Sequence, residues 1–250
     1  MRLQLSTWPE IETYLQTSKA ILIPIGSTEQ HGPNGLIGTD ALCPEIISFA
    51  AMEKEDILIG PTFSVGCAQH HMAFSGSMTL RPSTMIAAMQ DWTTSLVRHG
   101  FERIYWFNGH GGNTATIQAA FAEIYADRSL DRKNVYSDQD LRLKAMNWWE
   151  LPGVMSVCKQ QFPIGEGMHA TASEVAVTYA GYPDQVRKVE MSPKIAPVGS
   201  FRDAEHYRSV FPDGRIGSDP SQATIEKGQT IIEAAANALL KDFQAFASAE

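Results

Sequence analysis

Short runs of apolar residues alternate along the chain with longer segments of helical period. The runs 20–26 (AILIPIG) and 103–108 (RIYWFN) are apolar at successive positions, which is typical of strands buried on both faces. Pro24 is unfavourable inside a central strand, so we expect the first strand to end early. Strands of this kind joined by amphipathic helices predict an α/β fold with a mostly parallel sheet flanked by helices.

Three segments repeat apolar residues at spacings of three and four, which predicts amphipathic helices. They are residues 81–100, residues 113–126 and the C-terminal segment. Their apolar stripes are formed by Met85, Met89, Trp92 and Leu96, by Ile117, Phe121 and Ile124, and by Ile232, Leu239, Phe243 and Phe246. Residues 184–221 are rich in Pro, Gly, Ser and charge, and we expect long loops there.

Length and composition favour one globular domain spanning residues 1–250. The chain is 44% apolar, which is enough for a substantial core, and its formal net charge of −8 disfavours nucleic acid as a partner. No run approaches a membrane span, and the N-terminal residues do not resemble a secretory signal. The cysteines number three and have no metal-site spacing. We therefore expect a soluble, cytoplasmic protein with reduced thiols and no membrane partner.

The polar loop that follows the first strand carries candidate metal ligands. In GSTEQHGPNGLIGTD (residues 26–40), Glu29 and His31 project to the same side of an extended segment, and Asp40 comes from the start of the next helix. Oxygen and imidazole ligands at the carboxyl end of a parallel strand suit a divalent metal. Taken singly, each residue has a simpler interpretation: Asp40 as a helix cap, Glu29 as a solvated side chain, and His31 as a turn residue.

A second polar segment, FNGHGGN (residues 107–113), places His110 at the carboxyl end of the second strand. Its glycines permit tight turns, and the N-terminus of the following helix favours an anion. A phosphate-binding loop is therefore an alternative. The segment lacks both the G-x-x-x-x-G-K-[ST] and the G-x-G-x-x-G patterns, which makes that alternative the weaker one.

A third segment, GEGMHATASEVAVTYAG (residues 165–181), places His169 just before a helix and Glu174 in its first turn. Thr171 and Glu174 have the spacing of a capping box, which explains Glu174 without a functional role. His169 has no such explanation. An imidazole near a metal site can transfer protons at neutral pH.

These motifs resemble the creatininase (creatinine amidohydrolase) family in order and spacing. The resemblance rests on PIGSTEQHGPNGLIGTD, FNGHGGN, the His-Ala pair at 169–170 followed by Glu174, DGRIGSDPSQATIEKG at 213–228, and SVGCAQHHMAFSGSMTL at 64–80. It covers nearly the whole chain. Its implication for the fold is a single-domain, three-layer α/β arrangement.

The resemblance implies a dinuclear centre of two divalent metal ions: zinc, manganese or iron. Glu29 and His110 would bind one metal, His31 the other, and Asp40 would bridge both. A hydroxide activated by the two metals would attack a small-molecule amide, and His169 would transfer the proton to the leaving nitrogen. Family members tend to be symmetric oligomers, so we expect a homo-oligomer such as a hexamer.

Two positions depart from the family pattern. Gly112 stands where creatininases have a ligating glutamate. Glu174 is a candidate replacement for that ligand and, with His169, a candidate catalytic residue. Asn34 stands where the family has the second histidine of His-Gly-Pro-His, which leaves creatinine as only one candidate substrate. Formamide deformylases and a small-peptide metallopeptidase of the same family are alternatives. A non-catalytic protein that binds a small molecule is an alternative of a different class.

Three further residues are candidates for substrate binding. His71 matches a histidine of the family segment, Asn34 lies in the metal loop, and Trp149 is a candidate pocket wall. His71 and Trp149 also have structural interpretations, since buried histidines often form hydrogen bonds and tryptophans usually belong to the core. Cys67 is a weak candidate for a nucleophile because it lacks an elbow pattern.

Overall fold

The protein is described here from a computed structural model, which covers residues 1–130 and 139–249. Three parallel strands form a sheet in the order β1 (Ala20–Ile25), β2 (Arg103–Asn108) and β3 (Arg142–Asn147). The α-helices in the described residues are α1 (Trp8–Tyr14), α2 (Thr39–Met52), α3 (Pro82–Arg98), α4 (Thr114–Leu130), α5 (Val154–Gln161), α6 (Ala172–Gly181), α7 (Ala204–Val210) and α8 (Ile225–Ala247).

The sheet separates two apolar cores because successive strand residues point to opposite faces. Leu22 and Tyr105 pack against α2, α5, α6 and α8 on one face. Ile23 and Trp106 pack against α3 and α4 on the other, with α1 at the margin. These layers confirm the predicted α/β fold, in which helices flank a parallel sheet.

The predicted amphipathic helices are confirmed. Met85 and Met89 of α3 are fully buried, as is Leu239 of α8, while Phe246 is partly buried against the same core. α3 begins at Pro82, where the missing N–H of proline is harmless because first-turn N–H groups have no partner within the helix. Among the described helices, none has both the length and the apolar character needed to cross a membrane.

The expectation that the first strand ends early is wrong. β1 continues through Pro24, which pairs in register with Phe107, and ends at Ile25. On its other side, β1 faces an irregular segment that includes Phe63, whose N–H donates to the Pro24 carbonyl at 2.8 Å. Proline is tolerated because β1 is an edge of the regular sheet, and the irregular neighbour requires no donor at that point.

The expectation of long loops over 184–221 is wrong at one place. α7 lies within this segment and begins after Asp203, whose side chain accepts a hydrogen bond from the His206 N–H at 2.9 Å. A seven-residue helix has too few turns to show an apolar period. Its Tyr207 is completely buried, so packing rather than propensity holds the helix.

Candidate metal centre

The candidate site lies where the first two strands end. Ile25 and Asn108 are paired in register, so the chain leaves β1 and β2 at the same edge of the sheet. Segment 26–40 leads from this edge into α2, whose N-cap is Gly38. Asp40 therefore lies within the first turn of α2 and does not act as its cap.

Gly26 and Gly109 let the backbone of α2 approach both strand ends closely. A β-carbon at either position would overlap the carbonyl of Asp40, and one at Gly109 would also lie 2.6 Å from Cδ of Pro44. Only glycine fits in so short a separation. These two glycines therefore fix Asp40 against both strands.

We expect Gly109→Ala to displace the start of α2. Overpacking of this kind lowers the free energy of unfolding by about 1–3 kcal/mol, and the shift of Asp40 is expected to weaken metal binding. Gly111→Ala is the matched control, because a β-carbon there meets no atom within 4 Å. Denaturant unfolding and metal titration of both variants test this. Equal stability and metal affinity in the two would contradict it.

Asp40 lies between two buried histidines. Its Oδ1 is 2.9 Å from Nε2 of His31, and its Oδ2 is 2.8 Å from Nδ1 of His110. The other ring nitrogen of each histidine donates to a backbone carbonyl: Nδ1 of His31 to Glu29 and Nε2 of His110 to Cys67, both at 3.0 Å. Metal-binding histidines are held in this way through their second nitrogen, so the nitrogen facing Asp40 is the one that a metal would bind.

Charge around Asp40 shifts the pKa values of its neighbours. Burial lowers the pKa of His31, but the Asp40 and Glu174 carboxylates outweigh it and raise that pKa to about 10. At His110, burial again lowers the pKa, but the Glu29 and Asp40 carboxylates outweigh it and raise the pKa to about 9. Burial raises the pKa of Asp40, but His31 and His110 hold it well below the usual range. At neutral pH both imidazoles therefore hold a second proton beside Asp40, in positions that a bound metal cation would take.

Glu29 is completely buried, and neither of its oxygens receives a hydrogen bond from any described residue. Its Oε1 is 3.0 Å from Nε2 of His71, and its Oε2 is 3.3 Å from Nε2 of His110. Burial raises the pKa of this carboxyl. Ligand atoms within 4.8 Å of one another form three sets: Glu29, His31 and Asp40; Glu29, His70 and His110; and Glu29, His71 and His169. Unpartnered carboxylate oxygens among imidazoles fit a divalent metal.

A cleft of about 670 Å³ opens onto this centre. Asp40, His110, His169 and Glu174 line one part of it, and Trp149 with other apolar side chains lines another. Burial, with His31 and His71 nearby, holds the pKa of His169 well below its usual value, so its imidazole is neutral. The predicted ligands and His169 are thus brought together, and Trp149 forms a wall of the cleft.

A sequence profile of the Creatininase family, described as creatinine amidohydrolase, matches residues 4–243. The chain belongs to the creatininase family. The resemblance inferred from the sequence motifs is therefore confirmed. The chain is accordingly a hydrolase of the class that acts on carbon–nitrogen bonds other than peptide bonds.

Individual relatives differ in the activities their names give. Creatinine amidohydrolase of Pseudomonas putida is 27% identical over 240 residues, which cover 91% of this chain and 90% of that protein. Mycofactocin precursor peptide peptidase of Mycolicibacterium smegmatis is 30% identical over 108 residues, covering 41% and 43% of the two chains. A solved structure of manganese creatininase has a TM-score of 0.85 at 22% identity and covers 99% of both chains, which confirms the creatininase-like fold.

Gly112 is the position at which this creatininase-family chain departs from the motif expected of it. A β-carbon there would overlap Nε2 of His110 and lie 2.8 Å from the Cys67 carbonyl, so no side chain fits without moving His110. Glu174 lies on the other side of the centre, with its Oε1 3.7 Å from Nε2 of His31. A carboxylate is therefore present beside His31, and it comes from α6.

The capping box predicted for α6 is confirmed. The N–H of Thr171 donates to Oε1 of Glu174 at 2.6 Å, and the N–H of Glu174 donates to Oγ1 of Thr171 at 3.3 Å. Burial raises the pKa of Glu174 to about 7, with Asp40 adding to the rise and His31 opposing it. Glu174 therefore combines a local structural contact with a position at the metal centre.

Two of the predicted substrate-binding residues lie outside the cleft lining. His71 is buried behind the centre, against Glu29 and with its ring 4.4 Å from that of His169. Asn34 is also buried, and its amide donates to the Pro220 carbonyl at 3.1 Å. His71 thus lies beside the proposed metal ligand Glu29. Asn34 forms a hydrogen bond that holds its loop in place.

Sequence reasoning missed two residues of the centre. His70 belongs to a cluster with Glu29 and His110, and its ring stacks on Phe201 at 4.9 Å. Gln30 was not singled out, although it contacts both His71 and His169. Its position between Glu29 and His31 was the available signal.

Proposed function

We propose that this protein is a metal-dependent amidohydrolase that cleaves a non-peptide C–N bond in a small-molecule amide, such as a cyclic amide or a formamide. The observation that carries the proposal is Asp40, whose two oxygens face ring nitrogens of two different histidines at an open cleft. Residues 1–250 act as one hydrolase domain in this proposal.

The proposed cofactor is a pair of divalent metal ions: zinc, manganese or iron. Glu29 and His110 would bind one ion, His31 and Glu174 the other, and Asp40 would bridge them. The buried Glu29 carboxylate among imidazoles and the arrangement about Asp40 support this ligand set. When bound, two such ions supply Lewis acidity that activates water and polarises a carbonyl.

His169 is the proposed proton-transfer residue. Its Nε2 lies 2.8 Å from the carbonyl oxygen of Gln30, which can only accept a hydrogen bond, so Nε2 carries the proton. Its Nδ1 is left unprotonated, 3.8 Å from Oε1 of Glu29. A neutral imidazole with a free nitrogen at the cleft can take a proton from the nucleophile and return it to the leaving nitrogen.

The apolar residues in the cleft wall favour an organic substrate that has some apolar surface. Trp149, Met155 and Phe162 line it opposite the charged residues, where they would exclude water and orient the amide. A volume of about 670 Å³ also admits more than a single small ring. A small modified peptide is therefore the second candidate substrate, which the name of the Mycolicibacterium smegmatis relative favours.

The remaining expectations from the sequence stay part of this proposal. They are a symmetric homo-oligomer, such as a hexamer, and a cytoplasmic location. A small-molecule amide is the proposed partner, without nucleic acid or a membrane. Sedimentation velocity of the purified protein tests the assembly directly.

We expect chelator treatment to abolish hydrolysis of the preferred amide and added Zn²⁺ or Mn²⁺ to restore it. Creatinine, formamides, cyclic ureas and short peptides are the substrates to screen, with release of amine or formate as the measurement. Buffer-exchanged protein without chelator is the control. Binding of a screened compound to the metal-loaded protein without turnover would favour the non-catalytic alternative.

A further inference from the structure

Gln30 is a buried amide whose orientation is fixed by two backbone groups. Its Oε1 accepts a hydrogen bond from the N–H of Gly32 at 2.8 Å, and its Nε2 donates to the carbonyl of Gly214 at 2.9 Å. Reversing the amide would set donor against donor at Gly32 and acceptor against acceptor at Gly214. The positions of nitrogen and oxygen are therefore determined.

One amide hydrogen of Gln30 remains, and two imidazole nitrogens lie within its reach. They are Nδ1 of His71 and Nε2 of His169, each 2.9 Å away. Nε2 of His169 already carries a hydrogen, because it is 2.8 Å from the Gln30 carbonyl. It cannot accept another, so the remaining amide hydrogen goes to His71. The opposite assignment would place an Nε2 lone pair of His169 against the Gln30 carbonyl oxygen, whereas this one leaves only the two nitrogens of Gln30 and His169 in contact without a hydrogen between them.

We infer that Gln30 is a positioning residue that sets the tautomers of His71 and His169. Nδ1 of His71 accepts from Gln30, so the neutral ring carries its proton on Nε2, the atom 3.0 Å from Oε1 of Glu29. A protonated nitrogen cannot bind a metal. His71 is thereby excluded as a metal ligand although it lies within a candidate cluster. Its partially positive N–H group faces the Glu29 carboxylate instead.

The same residue leaves Nδ1 of His169 free for proton transfer, so this inference rests on the proposed function. The setting around Gln30 is closely fitted: a β-carbon at Gly214 would overlap the amide, and the hydroxyl of Tyr207 donates to the same Gly214 carbonyl at 2.8 Å. Gln30 thus contacts His71 through its side-chain amide and His169, the proposed proton-transfer residue, through its backbone carbonyl.

Nitrogen NMR of the zinc-loaded protein, labelled with ¹⁵N-histidine, tests the inference without any substrate. The chain has seven histidines, and single His→Gln variants assign the rings. We expect His71 and His169 both to be protonated at Nε2 and unprotonated at Nδ1. A His71 ring protonated at Nδ1, or shifted as a metal ligand at Nε2, would overturn the inference whether or not the protein hydrolyses an amide.

Gln30→Met provides the second test because it keeps the length of the side chain and removes the donor. We expect mixed tautomers at His71 and a kcat lower by about 10–100-fold, as is typical when an outer-shell partner is lost, with metal content and KM nearly unchanged. Gln69→Met, at an exposed position nearby, is the control. Unchanged kcat and unchanged tautomers in a folded Gln30→Met would contradict the role. Absence of turnover in the wild type, with the expected tautomers, would count against the proposed function alone.

Discussion

Asp40→Ala is expected to abolish tight metal binding at both positions and with it hydrolysis. Its two oxygens face different histidines, His31 and His110, so a single substitution removes a ligand from each proposed ion. Since loss of an outer-shell partner already costs about 10–100-fold, we expect both metal affinity and kcat/KM to fall by at least about 100-fold. Elemental analysis and metal titration are the measurements.

Asp91→Ala is the control for this experiment. Asp91 is an exposed aspartate of α3 and belongs to no metal-ligating cluster in the described ranges. It should retain the wild-type metal content. Full metal stoichiometry in Asp40→Ala would show that Asp40 is not a ligand, and it would remove the main support for a dinuclear centre.

Glu174→Gln is expected to reduce bound metal from about two ions per chain to about one and to remove most of the activity. Glutamine keeps an oxygen at the position that accepts from the Thr171 N–H, so the capping box is preserved. What it removes is the negative charge 3.7 Å from Nε2 of His31. The melting temperature of the metal-free variant should therefore stay close to that of the metal-free wild type.

Glu166→Gln separates a ligand effect from a general effect of charge in the cleft. Glu166 also lines the cleft and accepts hydrogen bonds from the N–H and hydroxyl of Ser173, but it belongs to no metal-ligating cluster among the described residues. We expect it to keep both metals. Equal metal loss in the two variants would indicate that the cleft's overall charge, and not Glu174 as a ligand, retains the second ion.

Much of the site was predictable because its residues lie next to features that local sequence determines. Glu29, His31 and His110 follow apolar runs that are recognisable as strands, and parallel strands bring their carboxyl ends to one edge. The capping box at Thr171 was equally local, since its two partners are three residues apart. The order and spacing of these motifs were also sufficient to indicate the creatininase family.

Other features depended on residues far apart in the chain. The tolerance of Pro24 in β1 depends on an irregular neighbour, and the short α7 is held by the burial of Tyr207. Gln30 acquires its role from Gly214, which is 184 residues away. A single sequence gives no signal for contacts of this kind. Apolar periodicity and capping motifs describe neighbouring residues only, and they do not indicate which distant loops contact each other.

By itself, the sequence determined the α/β class, the strands and amphipathic helices that surround the sheet, and the candidate metal ligands, because apolar period and motif spacing are local properties. Only the tertiary structure decided that Asp40 lies between His31 and His110, that Glu174 reaches the centre from α6, and that His71 faces Glu29. Those arrangements depend on the close packing of α2 against two glycines and on hydrogen bonds between distant loops, which form only when the whole chain has folded.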